Sequence, residues 1–236
     1  MYNEAENIGP LLDALAVVRT PFELAIAYDS EDDTTLPAIR SREASLPFAV
    51  RLLRNAYGRG ALGAVKTGLE ASTECLAVAV IMADLSDDLA KLDQMFAMVT
   101  DDGYDVVCAS RYMAGGRQIG GPPLKGLLSR TAGVSLYVLA GVPTHDATNN
   151  FKVYRGSFLA ATKIESRAGF EIALELTAKA YVGGYRIGEV PATWRDRVAG
   201  KSRFDLRKWL PHYLRWYRYA FRRRLPAVFH TSKEVS

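Results

Sequence analysis

Short β-rich runs alternate with stretches of helical periodicity along the first 110 residues, and this alternation constrains the fold more than any other feature of the sequence. The run Leu76–Met82 is apolar throughout, as expected for a strand covered on both faces. Strands that alternate with helices predict a mostly parallel sheet with helices on both sides. Ligands bind such sheets beyond the carboxyl ends of the strands, so the polar residues after each strand form the candidate site. The expected strands are Phe22–Tyr28, Phe48–Leu53, Leu76–Met82 and Tyr104–Cys108, and the expected helices are Glu6–Val18, Asp33–Ala44, Ala61–Ala71 and Asp88–Val99.

The second half of the chain is expected to continue the α/β pattern around a long loop. Residues 111–124 are rich in Gly and Pro and predict a mobile loop. A sheet of this kind usually opens with a strand, but no apolar run precedes Tyr2, so the first strand is expected to be missing. The further helices are expected at Leu127–Leu139 and Phe170–Tyr181, and the further strands at Phe151–Tyr154 and Arg186–Val190.

Composition limits the class of protein. With 236 residues, 49% of them hydrophobic, the chain can bury a sizeable core, which excludes a disordered or disulfide-stapled protein. Two cysteines and three scattered histidines do not supply a four-ligand zinc site of the finger type. The low number of cysteines also indicates a reducing compartment. No apolar run reaches the roughly 18 residues that a membrane-spanning helix needs, and the polar, acidic N-terminus predicts no signal peptide.

Positive charge is concentrated at the C-terminal end. Residues 201–236 hold ten Lys or Arg against two acidic residues, a net charge of +8, which leaves −4 on the first 200 residues. We therefore expect a globular domain over residues 1–204 and a basic segment over residues 205–236. Aromatic residues interleave with the basic ones over residues 206–229, which is typical of a membrane interface. Nucleic-acid binding and a helix packed on the body with a basic outer face are the alternatives.

Carboxylates follow two of the expected strands. Asp29 follows the first and could accept hydrogen bonds from a base edge or a ribose hydroxyl, whereas a solvated turn in which Asp33 caps the next helix is the alternative. Asp84 follows the most apolar strand, within the run Asp84-Leu85-Ser86-Asp87-Asp88. Carboxylates at the end of a buried strand suit a hard divalent cation that holds a diphosphate. We interpret Asp84 as functional and Asp88 as a helix cap.

A glycine-rich segment allows a different interpretation. Residues 58–63 contain G-x-G-x-x-G before an expected helix, and Asp84 lies 21 residues beyond Gly63, as in dinucleotide-binding proteins. The segment follows the second expected strand rather than the first, which weakens the match. An NAD(P)-dependent oxidoreductase is therefore kept as an alternative.

Two basic loops are candidate phosphate-binding elements. Ser110-Arg111-Tyr112 follows an expected strand, with Arg117, Lys125 and Arg130 after it, and arginines near a glycine-rich loop can bind phosphates. Ordinary surface charge is the alternative, which we favour for Lys125. The segment 194–204 places four cations within nine residues beside Gly and Ser, which suits a phosphate-binding loop or a solvated charge run.

Taken in this order, the motifs resemble the family-two glycosyltransferases of the dolichol-phosphate mannosyltransferase type over nearly the whole chain. No single motif is decisive, but their joint order is specific and outweighs the dinucleotide interpretation. The matching segments are Tyr2-Asn3-Glu4-x-Glu6-Asn7-Ile8, the loop with Asp29 and Asp33, the region of Asn55, Gly58, Gly60, Ala61 and Gly63, Asp84 of the D-x-D motif, Ser110-Arg111-Tyr112 with Gly115-Gly116, Asp146-x-Thr148 through Tyr154, Gly188 to Pro191, and Asp196-Arg197-x-x-Gly200-x-Ser202.

The resemblance implies a GT-A (Rossmann-like) α/β fold and transfer of a sugar from a nucleotide-sugar to a polyprenyl phosphate. The implied partners are that donor, that acceptor and an anionic membrane surface contacted by residues 206–229, with no nucleic acid, and the implied location is peripheral, at the cytoplasmic face of the membrane. Asp84 and Ser86 would hold Mg²⁺ or Mn²⁺ on the donor diphosphate. The implied catalytic residues are Asp84, Arg197 and Ser202, and the implied substrate-binding residues are Glu4, Asp29, Asp33, Asn55, Gly60, Arg111, Arg117, Arg130, Lys201 and Arg203.

The sequence departs from the family pattern at several positions. Met82 stands where the family has the first aspartate of D-x-D, and a thioether is a poor ligand for a hard cation. Tyr28 and Glu31 replace an aspartate and a serine of the nucleotide loop, and Asn149-Asn150 replaces Ser-Gly. Met82 and the missing first strand motivate an alternative from another class, a non-catalytic relative that binds nucleotide-sugar or lipid without turnover.

Overall fold

The computed structural model describes residues 3–196 and 206–224. Short 3₁₀ turns lie at Glu43–Ser45, Leu89–Lys91 and Phe221–Arg224, and a π-helical turn at Leu136–Ala140 extends α5. The remaining elements, in chain order, are α1 (Ala5–Leu15), β1 (Glu23–Tyr28), α2 (Thr35–Arg40), β2 (Ala49–Arg54), α3 (Ala61–Glu70), β3 (Ala77–Val80), α4 (Leu92–Thr100), β4 (Val106–Ser110), β5 (Arg117–Ile119), α5 (Pro123–Ser135), β6 (Lys152–Arg155), α6 (Gly156–Ala161), α7 (Ile172–Val182), β7 (Ile187–Pro191), β8 (Thr193–Arg195) and α8 (Leu206–Ala220).

The strands form a mixed arrangement in which parallel pairing dominates. The largest sheet has the order β3-β6-β4-β7, with β4 parallel to β7 and with β6 antiparallel to both of its neighbours. The pairs β1–β2 and β5–β8 are parallel. The expected α/β class with mostly parallel strands is confirmed, and β6 is the antiparallel exception.

Strand β4 shows why helices must cover both sides of the sheet. All five of its residues are buried. Val107 and Ala109 belong to a core shared with α1 and α4, whereas Val106 and Cys108 belong to a second core shared with α6 and α7. Because successive side chains of a strand point to opposite faces, this alternation places one core on each side of the sheet.

Strand β3 differs from the expectation of a strand buried on both faces. It is shorter than predicted, and all four of its residues are half-buried. Among the described residues β3 pairs only with β6, and β1 pairs only with β2. Both strands line one cavity of about 2280 Å³, which keeps part of the surface of β3 accessible.

Two other predicted segments also differ. The helix expected over Asp33–Ala44 is two short pieces, α2 and the 3₁₀ turn at Glu43–Ser45. The loop expected over residues 111–124 contains strand β5, whose partner β8 lies far along the sequence, so local composition could not reveal it. Helix α5 begins earlier than predicted, at Pro123, where a proline at the first helical position has no hydrogen bond to lose.

Helix α8 packs on the body of the protein. Its Trp216 is 2% exposed and lies in a third core with Leu136 and Leu174. The Tyr217 hydroxyl is 3.0 Å from Ser135 Oγ of α5, while Arg218 stays exposed. Of the alternatives for this segment, a packed helix with a basic outer face agrees with the buried Trp216 and the exposed Arg215 and Arg218. Within the described residues, no helix has the length and apolar character needed to cross a membrane.

Candidate active site

The polar residues that follow β1, β3 and β4 meet at one cavity. Asp29 follows β1, Asp84 follows β3 and Arg111 follows β4, and all three line this cavity. The structure thus places these three predicted residues in the lining of one shared cavity at the strand ends. The other predicted site residues that line the cavity are Glu4, Gly60 and Ser86.

The remaining predicted site residues lie elsewhere. Asn55 is not part of the cavity lining but contacts Asp29, which is. Asp33, Arg117 and Arg130 also do not line the cavity. The predicted residues Arg197, Lys201, Ser202 and Arg203 lie outside the described residues.

Asp29 organises the glycine-rich segment before α3. Its Oδ1 accepts a hydrogen bond from Asn55 Nδ2 at 2.7 Å, and its Oδ2 accepts one from the backbone N–H of Gly60 at 3.0 Å. Gly60 has φ 120°, which L side chains rarely adopt, and a Cβ at Gly63 would lie 2.6 Å from Asn55 Oδ1. The glycine pattern thus lets the loop fold onto a carboxylate, which gives it a structural reason apart from dinucleotide binding.

Asp33 has an internal role. Its Oδ1 accepts hydrogen bonds from the backbone N–H groups of Asn3 and Thr35, at 3.1 and 2.9 Å, and from the Thr35 hydroxyl at 2.5 Å. The residue is 2% exposed. Asp33 therefore joins the N-terminal segment to the start of α2, close to the capping role considered for it.

The loop after β3 carries two carboxylates. Asp84 Oδ1 accepts a hydrogen bond from the N–H of Ser86 at 3.2 Å, and Asp87 Oδ2 accepts one from the N–H of Met82 at 2.8 Å. Leu85 between them has φ 59°, an uncommon conformation for a non-glycine residue that turns the chain sharply. Burial raises the pKa of Asp87 to about 7, and the neighbouring charge of Asp84 adds to the rise.

The helix-cap role expected for the next residue, Asp88, is wrong. No side-chain hydrogen bond caps the 3₁₀ turn at Leu89–Lys91. Asp88 Oδ2 instead accepts a hydrogen bond from the N–H of Thr193 at 3.1 Å, and Ser86 O accepts one from the N–H of Arg195 at 3.0 Å. These bonds hold the loop of residues 84–88, the carboxylate loop, against β8.

The carboxylate loop offers some, but not all, of the ligands that a hard cation needs. Among the described residues, no group of three or more His, Cys, Asp and Glu side chains is placed to hold a metal ion. Mg²⁺, however, is commonly held by one or two carboxylates together with substrate phosphates. Asp84 and the other predicted ligand, Ser86, line the cavity together with Asp87, so these oxygen donors form such a partial set for a cation that a diphosphate would complete.

Arg111 is held by a buried carboxylate that the sequence analysis did not assign to the site. Asp146 accepts from Arg111 Nε at 2.6 Å, from Nη2 at 2.9 Å and from the backbone N–H at 3.1 Å. The Asp146 side chain is fully buried and that of Arg111 is 11% exposed. Burial opposes the charge of Arg111, but the attraction of Asp146 outweighs it and raises the arginine pKa. Arg111 is therefore a fixed, permanently charged group at the cavity wall.

The loop that carries Asp146 is held in place by hydrogen bonds to Lys152 and Glu189. Lys152 is fully buried, its Nζ donates to the carbonyl oxygens of Ala147 and Asn149, and burial lowers its pKa. Glu189 accepts from the backbone N–H of His145 at 2.8 Å. The motif Asp146-x-Thr148 was the only sequence signal for this loop, and it did not show which arginine the aspartate would meet.

Comparison with known proteins gives one family and a set of solved structures. The family model described as "Glycosyl transferase family 2" matches residues 1–161. The polyprenol monophosphomannose synthase of Mycolicibacterium smegmatis is 28% identical over 210 residues, which are 86% of this chain and 78% of that protein. The undecaprenyl-phosphate mannosyltransferase of Micrococcus luteus is 24% identical over 86% of this chain and 84% of its own.

The solved structures show the same fold at low identity. Glucosyl-3-phosphoglycerate synthase from Mycobacterium tuberculosis, in complex with UDP, has a TM-score of 0.67 at 14% identity, over 94% of this chain and 77% of that one. A further structure of that protein contains Mn²⁺ and UDP and has a TM-score of 0.63 at 15% identity, over 92% of this chain and 74% of that one. S. aureus TarS 1-349 with UDP has a TM-score of 0.64 at 17% identity over 93% of this chain, which spans only 63% of the TarS chain. The GT-A fold is thereby confirmed.

Proposed function

This chain belongs to glycosyl transferase family 2, and on that premise we propose that it moves a hexose, mannose or a glucose-like sugar, from a nucleotide-sugar to a polyprenyl phosphate at a membrane surface. The observation that carries the proposal is the shared cavity of Asp29, Asp84 and Arg111. Two curated relatives that act on polyprenyl phosphates, by their names, support the choice of acceptor.

In the proposed site, the donor lies along the strand ends. Asp29 accepts hydrogen bonds from the nucleoside, since its position is held by Asn55 and Gly60 while it faces the cavity. Asp84, with Ser86 or Asp87, would hold a divalent cation, Mg²⁺ or Mn²⁺, on the donor diphosphate. Such an ion neutralises negative charge on a leaving diphosphate.

The acceptor needs little activation. A lipid phosphate is already an anionic nucleophile, so one of its oxygens can attack the anomeric carbon while the bond from that carbon to the nucleoside diphosphate breaks. Arg111 offers a positive charge that Asp146 prevents from moving, and a fixed charge stabilises a transition state without reorganisation. Lys125 lines the same cavity. Arg197, Lys201, Ser202 and Arg203 remain predicted contributors to phosphate binding.

The test is transfer from a panel of UDP- and GDP-sugars to a polyprenyl phosphate, with Mg²⁺ or Mn²⁺ present. We predict that Asp84→Asn lowers the rate by orders of magnitude, because it removes a cation ligand, while the melting temperature is unchanged. Asp88→Asn is the matched control, because Asp88 lies in the same loop but bonds to the backbone of β8. If Asp84→Asn retains the wild-type rate, Asp84 does not hold the ion.

The non-catalytic alternative keeps one specific observation in its favour. Met82 occupies the position of the first D-x-D aspartate, where it offers no carboxylate, and its backbone N–H donates to Asp87 Oδ2. Calorimetry with UDP and GDP beside the transfer assay separates the two functions. Nucleotide binding without turnover on any sugar would favour the binding protein. The oxidoreductase alternative is not retained, since its glycine segment lies within the residues that the family model matches.

A further inference from the structure

Strands β5 and β8 form a two-stranded sheet that turns one face toward the cavity. Gln118 of β5 and Trp194 of β8 lie opposite each other in the register of this pair, and both line the cavity. We name these two residues the β5–β8 platform. We propose that the hexose of the donor lies on the β5–β8 platform, with the C–H face of its ring against the indole of Trp194 and a hydroxyl at the amide of Gln118. This inference rests on the proposed function in one respect, that the ligand is a nucleotide-sugar.

The first argument is the alternation of side chains along the two strands. On β5, Gln118 is half-buried between Arg117 and Ile119, which are both exposed. On β8, Trp194 lines the cavity, whereas its two neighbours on the strand do not. Successive side chains of a strand point to opposite faces, so the platform occupies the inner face of this small sheet. The same alternation turns Arg117 away from the cavity, which explains why that predicted phosphate contact is not part of the lining.

The second argument is the position of Trp194 beside the carboxylate loop. The N–H of Arg195 donates to Ser86 O at 3.0 Å, and the N–H of Thr193 donates to Asp88 Oδ2 at 3.1 Å. Trp194 lies between these two bonds, next to the loop that carries the predicted cation ligands. Because the proposed site places the donor diphosphate at that loop, the hexose attached to the diphosphate comes next to the indole.

The third argument is that both side chains are held in place before any ligand binds. The Tyr112 hydroxyl donates to Gln118 Oε1 at 2.9 Å, which directs the Nε2 end of the amide elsewhere. A Cβ on Gly121 would lie 3.2 Å from the Trp194 ring, and a Cβ on Gly126 would lie 2.8 Å from Gln118 Nε2. The two glycines thus leave the room that the platform side chains occupy. A site whose groups are fixed in advance loses less entropy when its ligand binds.

The fourth argument is the chemistry of the pair. The face of an indole is a large apolar surface, which matches the C–H groups on one side of a hexose ring. A few polar groups placed beside such a surface fix the orientation of a ligand and give specificity, and the Gln118 amide can do so for a hydroxyl. A prenyl chain would also pack on the indole, but it offers the amide no hydrogen-bonding group. The combination therefore favours a sugar over the lipid as the occupant.

The experiment measures, by calorimetry on the full chain with Mn²⁺, the affinity for UDP- and GDP-hexoses and for the corresponding bare nucleoside diphosphates. The quantity compared is the ratio of the two dissociation constants. We expect Trp194→Leu to weaken binding of the nucleotide-sugar about tenfold relative to the bare nucleotide, because the apolar contact with the hexose is lost. Gln118→Leu should shift the ratio in the same direction by about threefold. Trp194→Phe keeps an aromatic face and should retain most of the wild-type ratio.

Trp209→Leu is the matched control. Trp209 lines the same cavity from α8, where its ring lies 5.8 Å from that of Phe170, centroid to centroid, and it is not part of the platform. The control variant should keep the wild-type ratio, and thermal unfolding should show that each variant is folded.

Three outcomes overturn the proposal. The first is an unchanged ratio in Trp194→Leu, and the second is an equal change in the ratio in Trp194→Leu and Trp209→Leu. The third is an equal loss of affinity for nucleotide and nucleotide-sugar, which would place Trp194 against the nucleotide part. If Trp194→Leu does not fold, an unchanged ratio in both Gln118→Leu and Gln118→Glu overturns the proposal.

The transfer assay separates this inference from the proposed function. If the wild type transfers sugar to no polyprenyl phosphate but the ratio still shifts in Trp194→Leu, the proposed function fails and the platform stands. If the wild type transfers sugar and the ratio does not shift, the platform fails and the proposed function stands. A wild-type chain that binds no nucleotide-sugar of the panel would overturn both.

Discussion

The buried pair of Arg111 and Asp146 allows a quantitative test of how this site is held together. Three hydrogen bonds join the two residues, two from the guanidinium and one from the backbone N–H of Arg111. Asp146→Ala removes all three and leaves a guanidinium that is 11% exposed without its counter-charge. Removal of one partner of a buried pair typically costs about 3–5 kcal/mol. We expect the lower end, about 3 kcal/mol, because Ser129 Oγ at 2.9 Å still accepts from the guanidinium.

Urea denaturation measures the free energy of unfolding, and thermal unfolding gives a second value. For a chain of this size, about 3 kcal/mol corresponds to a fall of roughly 6–12 °C in melting temperature. The exposed pair of Arg42 and Asp13 is the matched control, since its side chains are 36% and 65% exposed. Asp13→Ala should cost less than about 1 kcal/mol, as surface pairs do.

A double-mutant cycle tests whether the unpaired charge of Arg111 causes the loss of stability in Asp146→Ala. Once Arg111→Met has removed the buried charge, the further change Asp146→Ala should cost far less than it does alone, because no guanidinium is left without a partner. If the losses in unfolding free energy of the two single variants simply add in the double variant, the two residues contribute to stability independently. A loss below about 1 kcal/mol for Asp146→Ala would refute the reasoning outright, since it would show that water or another group compensates Arg111.

Two further predictions concern the carboxylate loop and the glycines. The pKa of Asp87 is raised from 3.8 to about 7, so the folded protein keeps a proton that the unfolded chain has lost, and stability should fall as the pH rises from 4 to 7. For the variant Asp87→Asn, urea denaturation in EDTA should show a smaller fall in the free energy of unfolding between pH 4 and 7. If the variant and the wild type lose stability equally over that range, the raised pKa of Asp87 is contradicted. A Cβ at Gly133 would lie 2.2 Å from the carbonyl oxygen of His145, so Gly133→Ala should destabilise the fold by about 1–3 kcal/mol. Gly68→Ala, which meets nothing within 4 Å in the interior of α3, should stabilise the fold by about 0.5–1 kcal/mol, and the same sign for both variants would contradict this reasoning.

Local sequence patterns predicted strands β1 to β4, β6 and β7 and most helices within a few residues, whereas β5 and β8 were not predicted. Strand β1 was expected at Phe22–Tyr28 and lies at Glu23–Tyr28, because β-rich composition and flanking turns act over a short stretch of chain. The same local patterns indicated that Asp29 and Asp84 would lie at strand ends, and both residues line one cavity. Strand β5 was missed because its partner β8 is distant in the sequence.

The amino-acid sequence by itself determined the α/β class, the order of the motifs and the family to which they belong, since these depend on residue type and spacing. Tertiary structure decided that Asp146 meets Arg111 across 35 positions of sequence, that the buried Asp33 bonds to the backbone of Asn3 and that α5 carries exposed leucines. The physical reason is that contacts between distant segments and the removal of water from a charge depend on how the elements pack, which spacing along one segment does not encode.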